Sequence, residues 1–352
     1  MTGARAAVDE GTPSEVRHRI STPASTIGPW LPPGALGDAL ADGLARVESA
    51  LVGAVGSEHP FVREAAGHLM AAGGKRFRPM LALLAAQLGN PAAPEVVRAA
   101  VVCELTHLAT LYHDDVMDEA AVRRGAPSAN SRWTNSIAIL TGDLLFARAS
   151  DLLADLGPDA VRIQARTFER LVVGQIRETV GPQPGEDPIA HYLEVLADKT
   201  GSLVATSARF GASFAGADDE LVAALTSFGE EVGVAFQISD DLLDIVSEGD
   251  ASGKSPGTDL REGIATLPVL FALADDDPAG ARLRELVAAP VTDDGEHAEA
   301  LALLRSSAAL RRATEVLAEY ADRARERLSA VPDGDVREAL SALCDYVVKR
   351  TS

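Results

Sequence analysis

Two short runs of aspartate carry the strongest chemical signal in the chain. The run His113-Asp114-Asp115-Val116-Met117-Asp118 contains Asp-Asp-x-x-Asp, and Ser239-Asp240-Asp241-Leu242-Leu243-Asp244 contains it again. On a helix, residues four apart share a face, so Asp114 projects beside Asp118 and Asp240 beside Asp244. The middle acids, Asp115 and Asp241, are turned about 100° away. Like charges at that spacing repel, so each run costs stability unless a cation bridges it. Both follow apolar stretches, 101–112 and 232–238, rather than standing in a solvated charge run. A lone run of this kind is an exposed helix face about half the time. Two such runs with cations nearby favour hard cations held by oxygen, and Mg²⁺ if a substrate supplies phosphate oxygens.

The cations are the second signal. The stretch GGKRFRP at 73–79 places Lys75, Arg76 and Arg78 at a glycine-marked turn. Glycine lets backbone approach an anion, and arginine grips phosphate oxygens in pairs. Arg123-Arg124-Gly125 lies just past the first acidic run, and Lys199-Thr200-Gly201 and Gly253-Lys254 add further anion-binding candidates. His107 stands seven residues before Asp114, two helical turns, and shares its face. Taken singly, each is more often an ordinary surface charge or a core histidine. Their placement around two acidic runs is what gives them weight.

Helices must position these groups. Leu36, Leu40, Leu44, Val47 and Leu51 form one apolar stripe at helical spacing. A second helix follows Pro60 and stops at Gly73-Gly74, a third opens near Pro79 and runs to about Gly89, and Pro94 opens a long one through Asp118. Further helices are predicted at 134–156, 158–180, 188–214, 218–247, 264–274, 296–305, 308–330 and 334–350, divided by Pro and Gly clusters. Strand alternation of useful length is missing, and so is a fixed-period repeat. The expected architecture is all-α: one helical bundle over 35–352 around a central substrate cavity, behind a flexible tail over 1–34 rich in Pro, Ser, Thr and Gly.

Composition narrows the function. The formal charge is -20, from 52 acids against 32 bases, which argues against nucleic acid as a general partner. Any phosphate substrate therefore needs local help from Lys, Arg or metal. Cys103 and Cys344 are the only cysteines, without a CxxC pair, so two reduced thiols and a cytoplasmic location are expected. No stretch of about 18 apolar residues predicts a transmembrane span, and no apolar core after Met1 resembles a signal peptide.

The motifs together resemble the polyprenyl synthetase family of trans-isoprenyl diphosphate synthases. The resemblance rests on GGKRFRP at 73–79, HDDVMDEAAVRRG at 113–125, DKTGSL at 198–203, AFQISDDLLD at 235–244 and GKSPGTDLREG at 253–263. It implies a prenyltransferase that joins isopentenyl diphosphate to an allylic diphosphate, and usually a homodimer. By the resemblance, Asp114, Asp118 and Asp240, with Asp115, Asp241 and Asp244 assisting, are ligands of a Mg²⁺ cluster gripping the allylic diphosphate. Arg123, Lys199, Gln237 and Lys254 contact the same diphosphate, and Thr200 joins them. Lys75, Arg78, His107 and Arg124 belong to the isopentenyl diphosphate site, and Glu178 is an accessory wall residue. Asp114, Asp118, Asp240, Lys199 and Arg123 are the expected catalytic set. One departure stands out: the family often has a further Lys where this chain has Ile264.

Rival readings fare worse. A class I terpene cyclase pairs its Asp-rich helix with a motif of Asn, Ser and Glu, not with a second Asp-Asp-x-x-Asp. A P-loop reading of the stretch from Gly249 to Ser255 fails on spacing and on the helix before it. A His-Asp phosphohydrolase leaves the second run unexplained, and an inert regulatory subunit would have lost its carboxylates. Chain length is expected to depend on Ala109 and Thr110, five and four residues before Asp114 and about one turn deeper along the helix. Both are small, which predicts a long-chain product of the kind that supplies quinone side chains, with a short-chain geranylgeranyl or farnesyl product as the alternative. Ala109→Phe is then expected to shorten the product.

Overall fold

The computed structural model describes Trp30, residues 34–247 and residues 256–351. The expected leucine stripe forms α1 (Ala35–Ala54), with Leu36, Leu40, Leu44, Val47 and Leu51 all buried. Prolines in the first turn open α2 (Pro60–Ala71), α4 (Pro94–Met117) and α7 (Pro158–Val180), where a missing N–H costs nothing. Between α2 and α4, α3 (Phe77–Ala86) begins two residues before the predicted Pro79, because Arg76 turns the chain in a left-handed conformation. Thr134 caps α6 (Asn135–Leu156) through its side-chain oxygen, and Asp218 caps α10 (Asp219–Val246) at 2.8 Å.

The predicted helix over 188–214 is three elements. α8 (Pro188–Leu196) runs into a π turn (Ala197–Gly201), and α9 (Ser202–Phe214) continues from it. No residue type is peculiar to a single underwound turn, so the sequence reads as unbroken helix. Four small elements escape the sequence reading. A hairpin joins β1 (Val122–Arg123) to β2 (Ala126–Pro127), with Arg124 and Gly125 both at positive φ in its two-residue loop. The others are the short helices α5 (Ala129–Arg132), α11 (Thr258–Glu262) and α13 (Ala281–Val287). The remaining helices are α12 (Leu267–Ala274), α14 (Asp294–Ser306), α15 (Ala308–Arg327) and α16 (Asp335–Lys349). α12 starts three residues after its predicted position, beyond Ile264.

The helices carrying the acidic runs are the inner ones. α4 packs against α1, α3, α6 and α9, and α10 packs against α9, α15 and α16. α4 is buried on nearly every side, from Val96 to Asp115, as a central helix must be. α10 is the one described helix long and apolar enough to cross a membrane; its apolarity is accounted for by its neighbours in the core. Tyr112 pins α4 to α2, donating to the Ala65 carbonyl at 2.5 Å and accepting from the Leu69 amide at 3.2 Å. Cys103 and Cys344 are both buried and unpaired, and burial pushes each thiol up to about 12.

Candidate active site

A cavity of about 480 Å³ opens between α4, α6, α7, the π turn, α9 and α10. Its lining brings together polar Asp114, Lys199, Thr200 and Gln237 and apolar Leu111, Phe146, Phe168 and Val172.

The first acidic run is split by burial. Asp114 faces the cavity, where burial pushes its carboxyl up to about 6, with Lys199 opposing and Asp118 adding to the rise. Asp115 is fully buried; its Oδ1 accepts from Arg123 Nε at 2.5 Å, and its Oδ2 has no hydrogen-bond partner. Asp118 caps α4 in the open, 3.7 Å from Arg123 Nη2. Arg123 thus ties Asp115 to Asp118, and the hairpin is what delivers it there.

The second run is more heavily engaged. Asp240 Oδ1 pairs with Arg350 Nη2 at 2.6 Å. Asp241 accepts from the Tyr192 hydroxyl and from Gln237 Nε2 at 2.9 Å, and burial still pushes its carboxyl up to about 6. Asp244 accepts the Thr258 and Asp259 amides at 3.2 and 3.1 Å, holding the start of α11. The expected pairing of Asp240 with Asp244 on one face is thus overlaid by two different duties.

The cations converge only in part. Arg78 and His107 line the cavity, and Arg78 Nε is buried without a partner. Burial, reinforced by Arg78, holds the His107 imidazole well below its ordinary value, so it is neutral at pH 7. Lys75 is exposed, with its ammonium 5.8 Å from the Phe236 ring centre. Arg124 does not line the cavity; it donates to the Leu69 carbonyl at 3.2 Å and to the Gly73 carbonyl. Gly74 stands at φ +151°, a conformation side chains rarely adopt, and the Arg124 guanidinium lies 2.9 Å from where a Cβ would be. Arg76 is buried against Glu48 and Glu104 and anchors the turn. Lys199 pairs with Glu178, and Thr200 donates to Gln237 Oε1 at 3.4 Å. The π turn aims both, and α7 approaches it so closely that a Cβ on Gly174 would lie 2.7 Å from the Lys199 nitrogen. Lys254 lies outside the described residues. Ile264 is 46% exposed.

With this geometry in place, comparison with known proteins is decisive. The polyprenyl synthetase family profile matches residues 59–304. The chain belongs to the polyprenyl synthetase family. A nonaprenyl diphosphate synthase from Mycobacterium tuberculosis is 52% identical over 333 residues, covering 94% of this chain and 99% of that one. The crystal structure of geranylgeranyl pyrophosphate synthase from Corynebacterium glutamicum, complexed with calcium and isoprenyl diphosphate, matches with a TM-score of 0.83 at 48% identity, covering 91% of this chain and 99% of that one. A decaprenyl diphosphate synthase from Rhodobacter capsulatus matches with a TM-score of 0.81 at 37% identity, covering 90% and 98%. As a family member the chain is a trans-prenyltransferase of isoprenoid diphosphates that depends on a divalent metal.

The donors fit such an ion. They are carboxylate oxygens, the ligands hard cations take. Among the described residues, no three of His, Cys, Asp and Glu converge to hold an ion alone. Burial raises the Asp114 and Asp241 carboxyls, and a bound cation would favour their ionised forms.

Sequence reasoning missed Phe236, Tyr192 and Arg350. Phe236 stacks on Phe77 at 4.9 Å and carries the Arg350 guanidinium at 4.2 Å. Arg350 also donates to Ser239 Oγ at 2.6 Å and to the Phe236 carbonyl at 2.8 Å. Phe236 lies inside the quoted AFQISDDLLD stretch and was legible there; Arg350 was not. The chain-length pair divides too. Thr110 lines the cavity, whereas Ala109 is fully buried in the core with its carbonyl beside Gly142 of α6. One residue along a helix turns a side chain by about 100°, which takes Ala109 off the cavity wall.

Proposed function

We propose that this chain condenses isopentenyl diphosphate with an allylic diphosphate, using Mg²⁺, to give a long-chain trans-polyprenyl diphosphate. The observation that carries the reading is one cavity lined together by Asp114, Lys199, Arg78, the neutral His107 and a set of apolar side chains. The metal, when bound, neutralises the leaving diphosphate as the allylic C–O bond ionises. Asp114, Asp118 and Asp240 would hold it; Arg123, Lys199, Thr200 and Gln237 would orient the allylic diphosphate, and Lys254 would join them. Asp115, Asp241 and Asp244 assist by holding Arg123, Gln237 and the start of α11 in place. Arg78 and His107, with Lys75 nearby, hold isopentenyl diphosphate so that its double bond faces the allylic carbon, and Arg124 supports them from behind through the Leu69 and Gly73 carbonyls. The neutral His107 donates one hydrogen bond without adding charge. The apolar wall keeps water from the allylic cation. The proton lost after bond formation goes to the departing diphosphate.

Thr110, small and on the cavity wall, supports a long product of the kind that supplies quinone side chains. A second reading, a short-chain geranylgeranyl or farnesyl product, is favoured by Phe146 and Phe168, whose rings meet at 4.4 Å on the same wall. The deciding experiment incubates the pure protein with Mg²⁺, isopentenyl diphosphate and allylic primers of several lengths, and sizes the products by mass spectrometry. Products that stop at four isoprene units or fewer would establish the short-chain reading. Ile139, Leu140, Val173, Ile176 and Val180 on α6 and α7 are exposed, which supports a homodimer through these helices; sedimentation checks it. The two buried, unpaired thiols fit a cytoplasmic site of action.

A further inference from the structure

A second cavity, of about 430 Å³, lies between α7, α9 and α10, and none of its lining residues lines the first. Four arginines line it: Arg162, Arg166, Arg170 and Arg209. Three of them recur every four residues along α7 and so share one face. This is an unusual gathering in a chain of net charge -20. The only acids in the lining are Asp159 and Glu230, so cations outnumber acids there. Arg162 is paired with Asp159 at 2.8 Å. Arg170 is paired with Glu230 at 2.6 Å and with Asp198 at 2.7 Å. Among the described residues, Arg166 and Arg209 have neither an ion pair nor a hydrogen bond. Two unpaired guanidiniums facing one concavity are the donor set that planar forks offer to phosphate oxygens.

The cavity stands directly behind the π turn. Arg170 donates to Asp198 Oδ1 and, at 3.3 Å, to the Ala197 carbonyl. Ser202, also in the lining, donates to the Asp198 carbonyl at 2.6 Å. The next residue, Lys199, faces the first cavity. The two cavities therefore share a wall of one turn, with Asp198 held from one side and Lys199 presented on the other.

We propose that this outer cavity is an oxyanion site for a diphosphate-class ligand, gripped by Arg166 and Arg209 and read by Arg170. A bound diphosphate competes with Asp198 and Glu230 for the Arg170 guanidinium. Drawing Arg170 off Asp198 loosens the π turn and so the aim of Lys199. The binding half of the proposal stands independently of the reaction; the effect on turnover rests on the proposed function.

The test uses the full chain with EDTA, so that the carboxylate runs cannot hold diphosphate through metal. Inorganic diphosphate is titrated by calorimetry into wild type, into Arg166→Ala/Arg209→Ala, and into Lys75→Ala/Arg78→Ala as the control for the first cavity. The outer double variant is expected to bind at least about tenfold more weakly at one site, with an unchanged thermal midpoint, while the control keeps that site. Geranyl diphosphate and inorganic phosphate are titrated alongside. Tight binding of inorganic diphosphate alone identifies the free anion as ligand, and equal binding of geranyl diphosphate identifies the head group. An unaltered isotherm in the outer double variant overturns the site. A sedimentation change in that variant without loss of diphosphate binding also overturns it, assigning the arginines to contact with a second copy. For the coupling, excess diphosphate is expected to slow the wild type beyond simple competition with either substrate, and this component should vanish in Arg166→Ala/Arg209→Ala. Its persistence there refutes the link through Arg170.

Discussion

Thr110→Phe and Ala109→Phe separate the cavity wall from the core one residue at a time. Ala109 is completely buried in the α4 core, so a ring there has no free volume. Overpacking costs about 1–3 kcal/mol for added methylenes, and a ring falls at or beyond the upper end. At roughly 2 °C of thermal midpoint per kcal/mol for a large domain, Ala109→Phe should melt at least about 6 °C below wild type. Thr110 faces the cavity and loses only the hydrogen bond from its hydroxyl to the His107 carbonyl, 2.8 Å long and within its own helix. That bond contributes about 1 kcal/mol, and Thr and Phe have similar helix propensity, so Thr110→Phe should melt within about 2 °C of wild type. Its ring narrows the cavity, so its products should be shorter, with the first condensation retained. The assay is product sizing by mass spectrometry beside thermal denaturation. If Ala109→Phe folded normally and shortened the product while Thr110→Phe did neither, the assignment of the two faces of α4 would be reversed.

Other outcomes follow from the same geometry. Asp114→Ala and Asp240→Ala should each lower turnover at least about 10²-fold at saturating Mg²⁺ with the helical circular dichroism intact, since each removes a carboxylate near developing charge. Lys75→Ala and Arg78→Ala should chiefly raise the Michaelis constant for isopentenyl diphosphate; a rise confined to the allylic substrate would show the two substrate sites assigned the wrong way round. Asp114 and Asp241 carry protons in the folded chain up to about pH 6, against 3.8 ordinarily. Their folded values are raised, so the metal-free fold carries a growing penalty as pH rises from about 4 to about 6, and the full penalty above that. Metal competes with those protons, so the rise in thermal midpoint on adding Mg²⁺ should be small at pH 5 and large at pH 7.5. A rise of equal size at both would contradict the shifts. Arg350→Ala removes a guanidinium that is 8% exposed and pairs with Asp240 at 2.6 Å. It should destabilise the metal-free protein by about 1–3 kcal/mol in denaturant titrations and recover part of that loss on adding Mg²⁺.

The legible parts of the site were the local ones. The acidic runs, the Gly73-Gly74 turn and the prolines at helix starts act through neighbours a turn or less away, and α1, α4, α6 and α7 begin and end close to their expected positions. Arg350 acts on Ser239 across 111 residues of sequence, a distance at which spacing carries no information. The π turn was hidden because helix stands on both sides of it and no residue type is peculiar to one wide turn. Asp115 and Asp118 looked equivalent in the motif. Only packing makes one a buried partner of Arg123 and the other an open cap. Ala109 looked as good a wall residue as Thr110 for the same reason: the sequence fixes their angular separation, but not which of the two faces α6.

The enclosed thiols bear on how this protein ages under oxidation. With both pushed up to about 12, the thiolate fraction at neutral pH is on the order of one in 10⁵, too small for peroxide or alkylating reagents to find. Methionine then becomes the vulnerable sulfur. Met117, between Asp114 and Asp118, is 52% exposed and lines the cavity, while Met80 is buried. Conversion of its thioether to a sulfoxide would place a polar oxygen beside the carboxylates, where the surface is now apolar. Oxidative loss of activity should therefore track Met117 on the cavity lining rather than the half-buried Met70 or the buried Met80, and be reversible by sulfoxide reduction.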